Sequence, residues 1–134
     1  MTSLILVDTS FWIELLGPTG KYWVSDENLL CFATCPPVVQ EVFQGLKGDP
    51  HSGQFRVSFL ALPCLTNPVP LSCFIEAADI YATGRRKGYT IRSSVDCLIA
   101  AIALQNGVPI LHHDRDFSAI ASFTGLREMT RLPR

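Results

Sequence analysis

Apolar residues fall along this chain in two rhythms. Leu4-Ile-Leu-Val7 and Val108-Pro-Ile-Leu111 are short, nearly unbroken apolar runs, the pattern of strands buried on both faces. Elsewhere apolar positions recur at helical spacing. Val38, Val39, Val42, Phe43 and Leu46 follow Pro36-Pro37, prolines that open a helix where a missing N–H costs nothing, with Gly48 just past its end. Val95, Leu98, Ile99, Ile102 and Ala103 form an apolar face behind Ser93-Ser-Val-Asp96, a capping-box pattern, and Asn106-Gly107 stops that helix. The spacing predicts further helices: from a Thr9 or Ser10 cap to about Leu16, from Ser25 to about Thr34, over His51 to Leu62, over Phe74 to Lys87 with Ile75, Ala78 and Ala82 on one side, and from Asp114 to about Phe123. Gly17-Pro18-Thr19-Gly20 reads as a loop, Leu65 to Leu71 as a short strand or extended link, and Leu126 to Thr130 as a last strand. Trp12, Trp23, Phe43, Phe55 and Phe59 are expected in the core, some of them lining a groove. Strands alternating with helices imply an α/β fold whose parallel sheet is covered on both faces.

Composition narrows the class. A chain of 134 residues is expected to be one domain, 1–134, with core enough to need no disulfide. Apolar residues make up 48 % and charged residues 17 %, so the chain is globular, not disordered. Eleven basic against 12 acidic residues give a net charge of −1, which excludes nucleic-acid binding by bulk charge but not by a local site. No apolar run approaches the roughly 18 residues of a membrane span. Met1 to Val7 lacks a basic leader and reads as a strand, not a signal peptide. The five cysteines are odd in number and show no C-x-x-C spacing. Cys31 and Cys35, four apart, read as packing on a helix, and the set fits reduced thiols in a cytoplasm.

The few charges are placed suggestively. In a parallel sheet, ligands bind outside the carboxyl ends of the strands. Asp8 ends the first apolar run; Asp114 and Asp116 follow the second; Asp96 lies in the first turn of the helix leading into it. Glu41 sits in the second turn of a helix whose start can face the same crevice. Each acid also has an ordinary reading. Asp8 can cap the next helix, Asp96 can belong to a capping box, Asp114 and Asp116 can be helix-start acids, and Glu41 can face solvent. If Asp8, Glu41, Asp96 and Asp114 converge, their repulsion calls for a divalent cation. An all-oxygen set favours Mg²⁺ or Mn²⁺, and such a cation can activate water against a phosphodiester.

This pattern resembles the PIN-domain ribonucleases, and within them the VapC toxins of prokaryotic toxin–antitoxin pairs. Leu6-Val-Asp-Thr-Ser-Phe-Trp-Ile13 is similar to the first family motif and Val39-Gln-Glu-Val42 with Gly45-Leu46 to the second. Ser94-Val-Asp-Cys-Leu-Ile-Ala-Ala101 is similar to the third, one residue tighter between serine and aspartate unless Ser93 is the counterpart. Ile110-Leu-His-His-Asp-Arg-Asp-Phe117 is similar to the fourth. The resemblance implies a three-layer α/β/α sandwich and a Mg²⁺- or Mn²⁺-dependent endoribonuclease. Asp8, Glu41, Asp96 and Asp114 would hold metal, Asp116 would be an additional acid, and Thr9 or Ser10 with Ser93 would orient acids by hydrogen bonds. It also implies a homodimer and a cognate antitoxin whose C-terminal segment fills a groove and blocks the acids. His112 stands where the family usually has threonine or serine, so it supports a carboxylate differently or contacts substrate.

Arg85, Arg86, Lys87 and Arg92 form a basic cluster, which reads as helix-end charge or as RNA-phosphate contact; Arg115, between two acids, suits a phosphate or an antitoxin acid. Single-stranded or looped RNA fits, because its bases splay out and stack. Other classes stay in view. An aspartyl-phosphate phosphatase wants D-x-D where this chain has Ser10, and a catalytically silent binding module needs no acids at all. A P-loop is absent, and His112-His113 without H-E-x-x-H or cysteine companions do not make a zinc site. Setting aside the four core acids leaves 8 acids against 11 bases, a mildly basic body around an acidic pocket.

Overall fold

A computed structural model describes residues 3–16, 25–46, 50 and 52–132. Four short strands form one parallel sheet: β1 (Ile5–Val7), β2 (Phe32–Ala33), β3 (Ile110–Leu111) and β4 (Glu128–Met129), in the order β2-β1-β3-β4. Every residue of β1, β2 and β3 is buried, which is why these segments read as continuous apolar runs. The register pairs Leu6 with Ile110 and Val7 with Leu111, and Ile110 with Glu128. Beyond β2 a single parallel bridge joins Thr34 to Cys64.

Seven helices are described: α1 (Thr9–Leu16), α2 (Asp26–Leu29), α3 (Pro36–Gln44), α4 (Ser52–Leu60), α5 (Leu71–Arg86), α6 (Ser94–Asn106) and α7 (Arg115–Phe123). They sandwich the sheet in three α/β/α layers. Helix α6 is the central one. Cys97, Ile99 and Ala100 to Ala103 are all buried; the alanines let neighbouring elements approach closely, and Ile99 and Ile102 fill the core. It ends as its sequence dictates, with Gly107 at φ 64° in the left-handed region.

Several expectations need correction. The helix expected from Ser25 to Thr34 stops at Leu29, and Phe32–Ala33 is a strand. Phe32 and Ala33 are wholly buried beside β1, so sheet burial overrides local helical signals. Cys31 and Cys35 therefore share no helix; Cys35 is the N-cap of α3. Asp8, not Thr9 or Ser10, caps α1: its carbonyl accepts Phe11 N–H and Trp12 N–H, and its Oδ2 accepts Ser10 N–H. On α5 the inner face is Cys73, Ala77, Ile80 and Gly84, and Ile75, Ala78 and Ala82 face out. Helix α5 also begins three residues before Phe74. The segment after Cys64 forms no regular strand. Trp12 and Phe59 are core residues, while Phe43 and Phe55 pack half-buried against them. Trp23, Gly48, His51 and the Gly17–Gly20 loop lie outside the described residues.

Gly84 marks a close helix contact. A Cβ there would stand 2.8 Å from Ile91 Cδ1 and 3.1 Å from Phe123 Cζ. Only a hydrogen lets α5 lie this close to α7 and to the strap carrying Ile91. Gly84→Val is expected to destabilise the fold by about 1–3 kcal/mol through overpacking, with Gly84→Ala milder. Urea unfolding measures this, and an unchanged midpoint for both variants would refute the contact.

Candidate active site

The sheet order places a topological switch between β1 and β3, because the chain leaves β1 toward β2 on one side and returns to β3 on the other. A crevice opens at the carboxyl ends of such a strand pair. Asp8 is the first residue past β1 and Asp114 lies three past β3. Both strands deliver an acid to the same edge.

Asp8 is 3 % exposed. Its Oδ2 accepts Ser10 N–H at 3.0 Å and the Ser10 hydroxyl at 2.6 Å. Ser10 Oγ in turn accepts His113 N–H at 3.0 Å, so one hydroxyl fastens the loop after β3 to the acid after β1. Asp8 Oδ1 is buried with no hydrogen-bond partner. Thr9 donates its hydroxyl to Glu41 Oε1 at 3.2 Å, bringing half-buried Glu41 of α3 to the same place. Thus Thr9 and Ser10 each orient a different acid.

Ser93 is the N-cap of α6, and its Oγ accepts Asp96 N–H at 3.4 Å, the bond a capping serine three residues before Asp96 makes. The reciprocal leg of a capping box would run from Asp96 to Ser93 N–H. Here Asp116 takes that role: its Oδ2 accepts both Arg92 N–H and Ser93 N–H at 3.1 Å. Asp96 is released from capping, and its Oδ2 is buried without a donor. Asp114 caps α7, its Oδ1 accepting Asp116 N–H at 2.9 Å. One carboxylate oxygen each from Asp96, Asp114 and Asp116 lie within 4.8 Å of one another.

These acids sense each other. Asp96 is pushed up to about 9, by burial first, then by its hydrogen bond to Asp114, then by the charges of Asp114, Asp8 and Asp116. Burial likewise raises Asp8, countered by its Ser10 bonds and reinforced by Asp114. Glu41 is raised by burial, then by Asp8, with Thr9 opposing and Asp114 adding. The donor set suits a hard cation: two orphaned buried carboxylate oxygens among clustered acids leave room for positive charge. Soft ligation is disfavoured. Burial raises the Cys35 thiol to about 12 and the Cys97 thiol to about 11, so both stay protonated. The histidines are committed as well. His112 Nδ1 accepts Asp114 N–H at 3.0 Å and its Nε2 meets Glu128 Oε2 at 3.0 Å. His113 Nε2 meets Thr130 O at 2.7 Å and its Nδ1 meets Glu14 Oε2 at 2.6 Å.

Basic residues divide into two groups. Arg92 and Arg115 are exposed and adjoin the acids along the chain; Arg92 even lends its N–H to Asp116. Arg85 and Arg86 occupy the last turn of α5 with Lys87 as its C-cap. Arg86 turns back to Thr83, and Arg85 lies 5.9 Å over the Tyr81 ring. The partner of His112 was not foreseen. Glu128 falls inside the expected last strand, and the signal the sequence carries is only a histidine at the end of the preceding apolar run.

The family model of the PIN domain matches residues 5–122. The chain belongs to the PIN-domain family. Ribonuclease VapC11 of Mycobacterium tuberculosis (strain ATCC 25618 / H37Rv) is 36 % identical to this PIN domain over 130 residues, covering 92 % of this chain and 96 % of that protein. VapC ribonuclease Mb1587 of Mycobacterium bovis is similar to the same extent. Among solved structures, a VapBC-5 toxin–antitoxin protein of Mycobacterium tuberculosis matches with a TM-score of 0.66 at 21 % identity, covering 95 % and 98 % of the two chains. VapC20 of the same species, a sarcin–ricin-loop-cleaving toxin, matches with 0.63 at 23 %, covering 92 % and 98 %. These two likenesses bear on the fold: a PIN-type α/β/α sandwich around a parallel sheet. Among the described residues no helix is long and apolar enough to cross a membrane, and all five cysteines are free.

The raised carboxyls set a pH dependence. In the unfolded chain Asp96 ionises near 3.8, in the fold near 9, so between these values the native state holds the extra proton. Stability conferred by that group is full at low pH and is lost as pH rises toward 9. The metal-free PIN domain is expected to melt at progressively lower temperature from pH 5 to pH 9. Asp96→Asn, which keeps a neutral group there, is expected to flatten that slope and raise the melting temperature at pH 8 by several degrees. Melting curves across pH with EDTA measure both; a slope identical in Asp96→Asn contradicts the burial argument.

Proposed function

We propose that this chain, as a single nuclease domain over 1–134, is a divalent-metal-dependent endoribonuclease acting as a VapC-type toxin in the cytoplasm, restrained by a cognate antitoxin. The observation that carries the reading is the cluster of Asp96, Asp114 and Asp116, with Asp8 and Glu41 close enough to sense the charge of Asp114 and with buried oxygens of Asp8 and Asp96 left without donors. Asp8, Glu41, Asp96 and Asp114 would hold Mg²⁺ or Mn²⁺, with Asp116 contributing the oxygen not spent on backbone. When bound, the cation activates water and stabilises charge developing on a phosphodiester.

The chain's own residues do the positioning. Ser10 and Thr9 aim Asp8 and Glu41, and Ser93 fixes the turn that carries Asp96. Exposed Arg92 and Arg115, beside the acids, take phosphates of a single-stranded or looped RNA, while Arg85, Arg86 and Lys87 supply a more distant contact. Supporting an antitoxin is an apolar groove of about 400 Å³ whose wall includes Thr9, Trp12, Ile13, Glu41, Leu46 and Phe55. A segment lying there would reach the acids. Leu71, Phe74, Ile75 and Tyr81 expose an apolar stripe on α5, which supports a homodimer.

Purified protein is expected to cleave RNA with Mg²⁺ or Mn²⁺ and to stop with EDTA. Asp8→Asn and Asp96→Asn are expected to lose at least ~100-fold, the upper end of what removal of a metal's outer partners costs. Cleavage unaffected by EDTA or by both substitutions sinks the reading; metal binding without cleavage points to a silent binding module. Expression is expected to arrest growth and the product of the neighbouring small reading frame to relieve it.

A further inference from the structure

His112 follows β3 directly, and its surroundings give its ring a role. The ring is 1 % exposed. It packs tilted on Phe117 of α7 at 5.2 Å between centroids, and its backbone N–H is bound to Met129 O of β4. Both ring nitrogens have partners. Nδ1 lies 3.0 Å from Asp114 N–H, which can only donate, so Nδ1 carries no proton and Nε2 does. Nε2–H then donates to Glu128 Oε2 at 3.0 Å. Glu128 is paired with Ile110 in the β3–β4 register, so β4 brings its carboxylate to a ring one residue past the strand end.

Asp114 N–H begins a chain of contacts. Asp114 Oδ1 accepts Asp116 N–H, and Asp116 Oδ2 accepts Arg92 N–H and Ser93 N–H. Ser93 Oγ accepts Asp96 N–H. The setting of one peptide group thus passes to all three clustered acids.

We infer that His112 and Glu128 form a positioning pair, in which Glu128 fixes the ring and Nδ1 holds the Asp114 peptide so that the Asp96–Asp114–Asp116 cluster keeps its cation-binding geometry. Neither residue touches cation or substrate in this arrangement. The inference rests on the metal-binding reading above. It adds that β4, beyond the acid-bearing strands, is part of the site's support.

Two measurements test it. In ¹⁵N-labelled protein without metal, His112 is expected as the Nε2–H tautomer, with a coupling across the hydrogen bond between Nδ1 and the Asp114 amide nitrogen. The opposite tautomer overturns the pair. Mn²⁺ affinity is then read from the free-ion electron paramagnetic resonance signal. His112→Leu, which fills the space without an acceptor, is expected to weaken Mn²⁺ about 10–100-fold, as loss of an outer hydrogen-bond partner does. His112→Asn, whose Oδ1 can accept the Asp114 N–H, is expected to recover most of that affinity. Glu128→Ala is expected to weaken binding and Glu128→Gln to restore it. Wild-type affinity in His112→Leu and Glu128→Ala overturns the inference, as does His112→Asn binding no better than His112→Leu. Should His112→Leu not fold, the Glu128 pair decides the matter on the surface-accessible partner. Wild-type protein that binds no Mn²⁺ overturns the metal reading and this inference together, whereas wild-type binding with unaffected variants removes this inference alone.

Discussion

Burying carboxyl groups side by side is the constraint that organises this protein. Asp8, Asp96 and Asp116 are each almost wholly withdrawn from water; Asp114 stands close enough to raise Asp8 and Asp96, and Glu41 is itself raised by Asp8 and Asp114. An isolated buried carboxylate is costly, and several together cost more. Around each acid the fold sets polar partners that stabilise part of it. Asp8 receives two bonds from Ser10, Glu41 one from Thr9, and Asp116 two from backbone. The stabilisation stops short at Asp8 Oδ1 and Asp96 Oδ2. That incompleteness sets these acids apart from an ordinary set of helix caps.

The capping roles and the chemical roles are not alternatives. Asp8 caps α1 with one oxygen and presents the other. Asp114 caps α7 in the same divided way. Asp116 takes over the capping duty that Asp96 would otherwise perform. Helix N-termini carry partial positive charge, which lowers the cost of holding anions there. The fold thus uses three helix starts to hold together charges that would otherwise drive one another apart.

Much of this was legible in the sequence, for definite reasons. The strands β1 and β3 announce themselves because burial on both faces demands uninterrupted apolar runs, and the acids that follow them inherit their position from that. The start and stop of α6 were readable from Ser93 and Gly107, since capping is local chemistry. The failures are as instructive. Strand β2 is two residues long and exists because Phe32 and Ala33 pair with β1, a contact no local window contains. The face of α5 was misread because alanines and Ile75 mark no side on their own, and burial there is decided by the approach of α6 and α7. The partnership of His112 with Glu128 depends on the β3–β4 register. Hydrophobic pattern alone does not set that register between such short strands.

The adjacency of β1 and β3 has a consequence for how the molecule comes into being. Asp8 and Asp114 are neighbours in the crevice, yet Ser10 and the His113 amide it binds are 103 positions apart in the chain. Contacts of such long sequence separation close late, after the intervening chain has been made. A nascent chain has no assembled cluster until α6, β3 and α7, all later in the chain than Asp8, have emerged. The order of synthesis therefore keeps the acids apart while the elements between them are still being made.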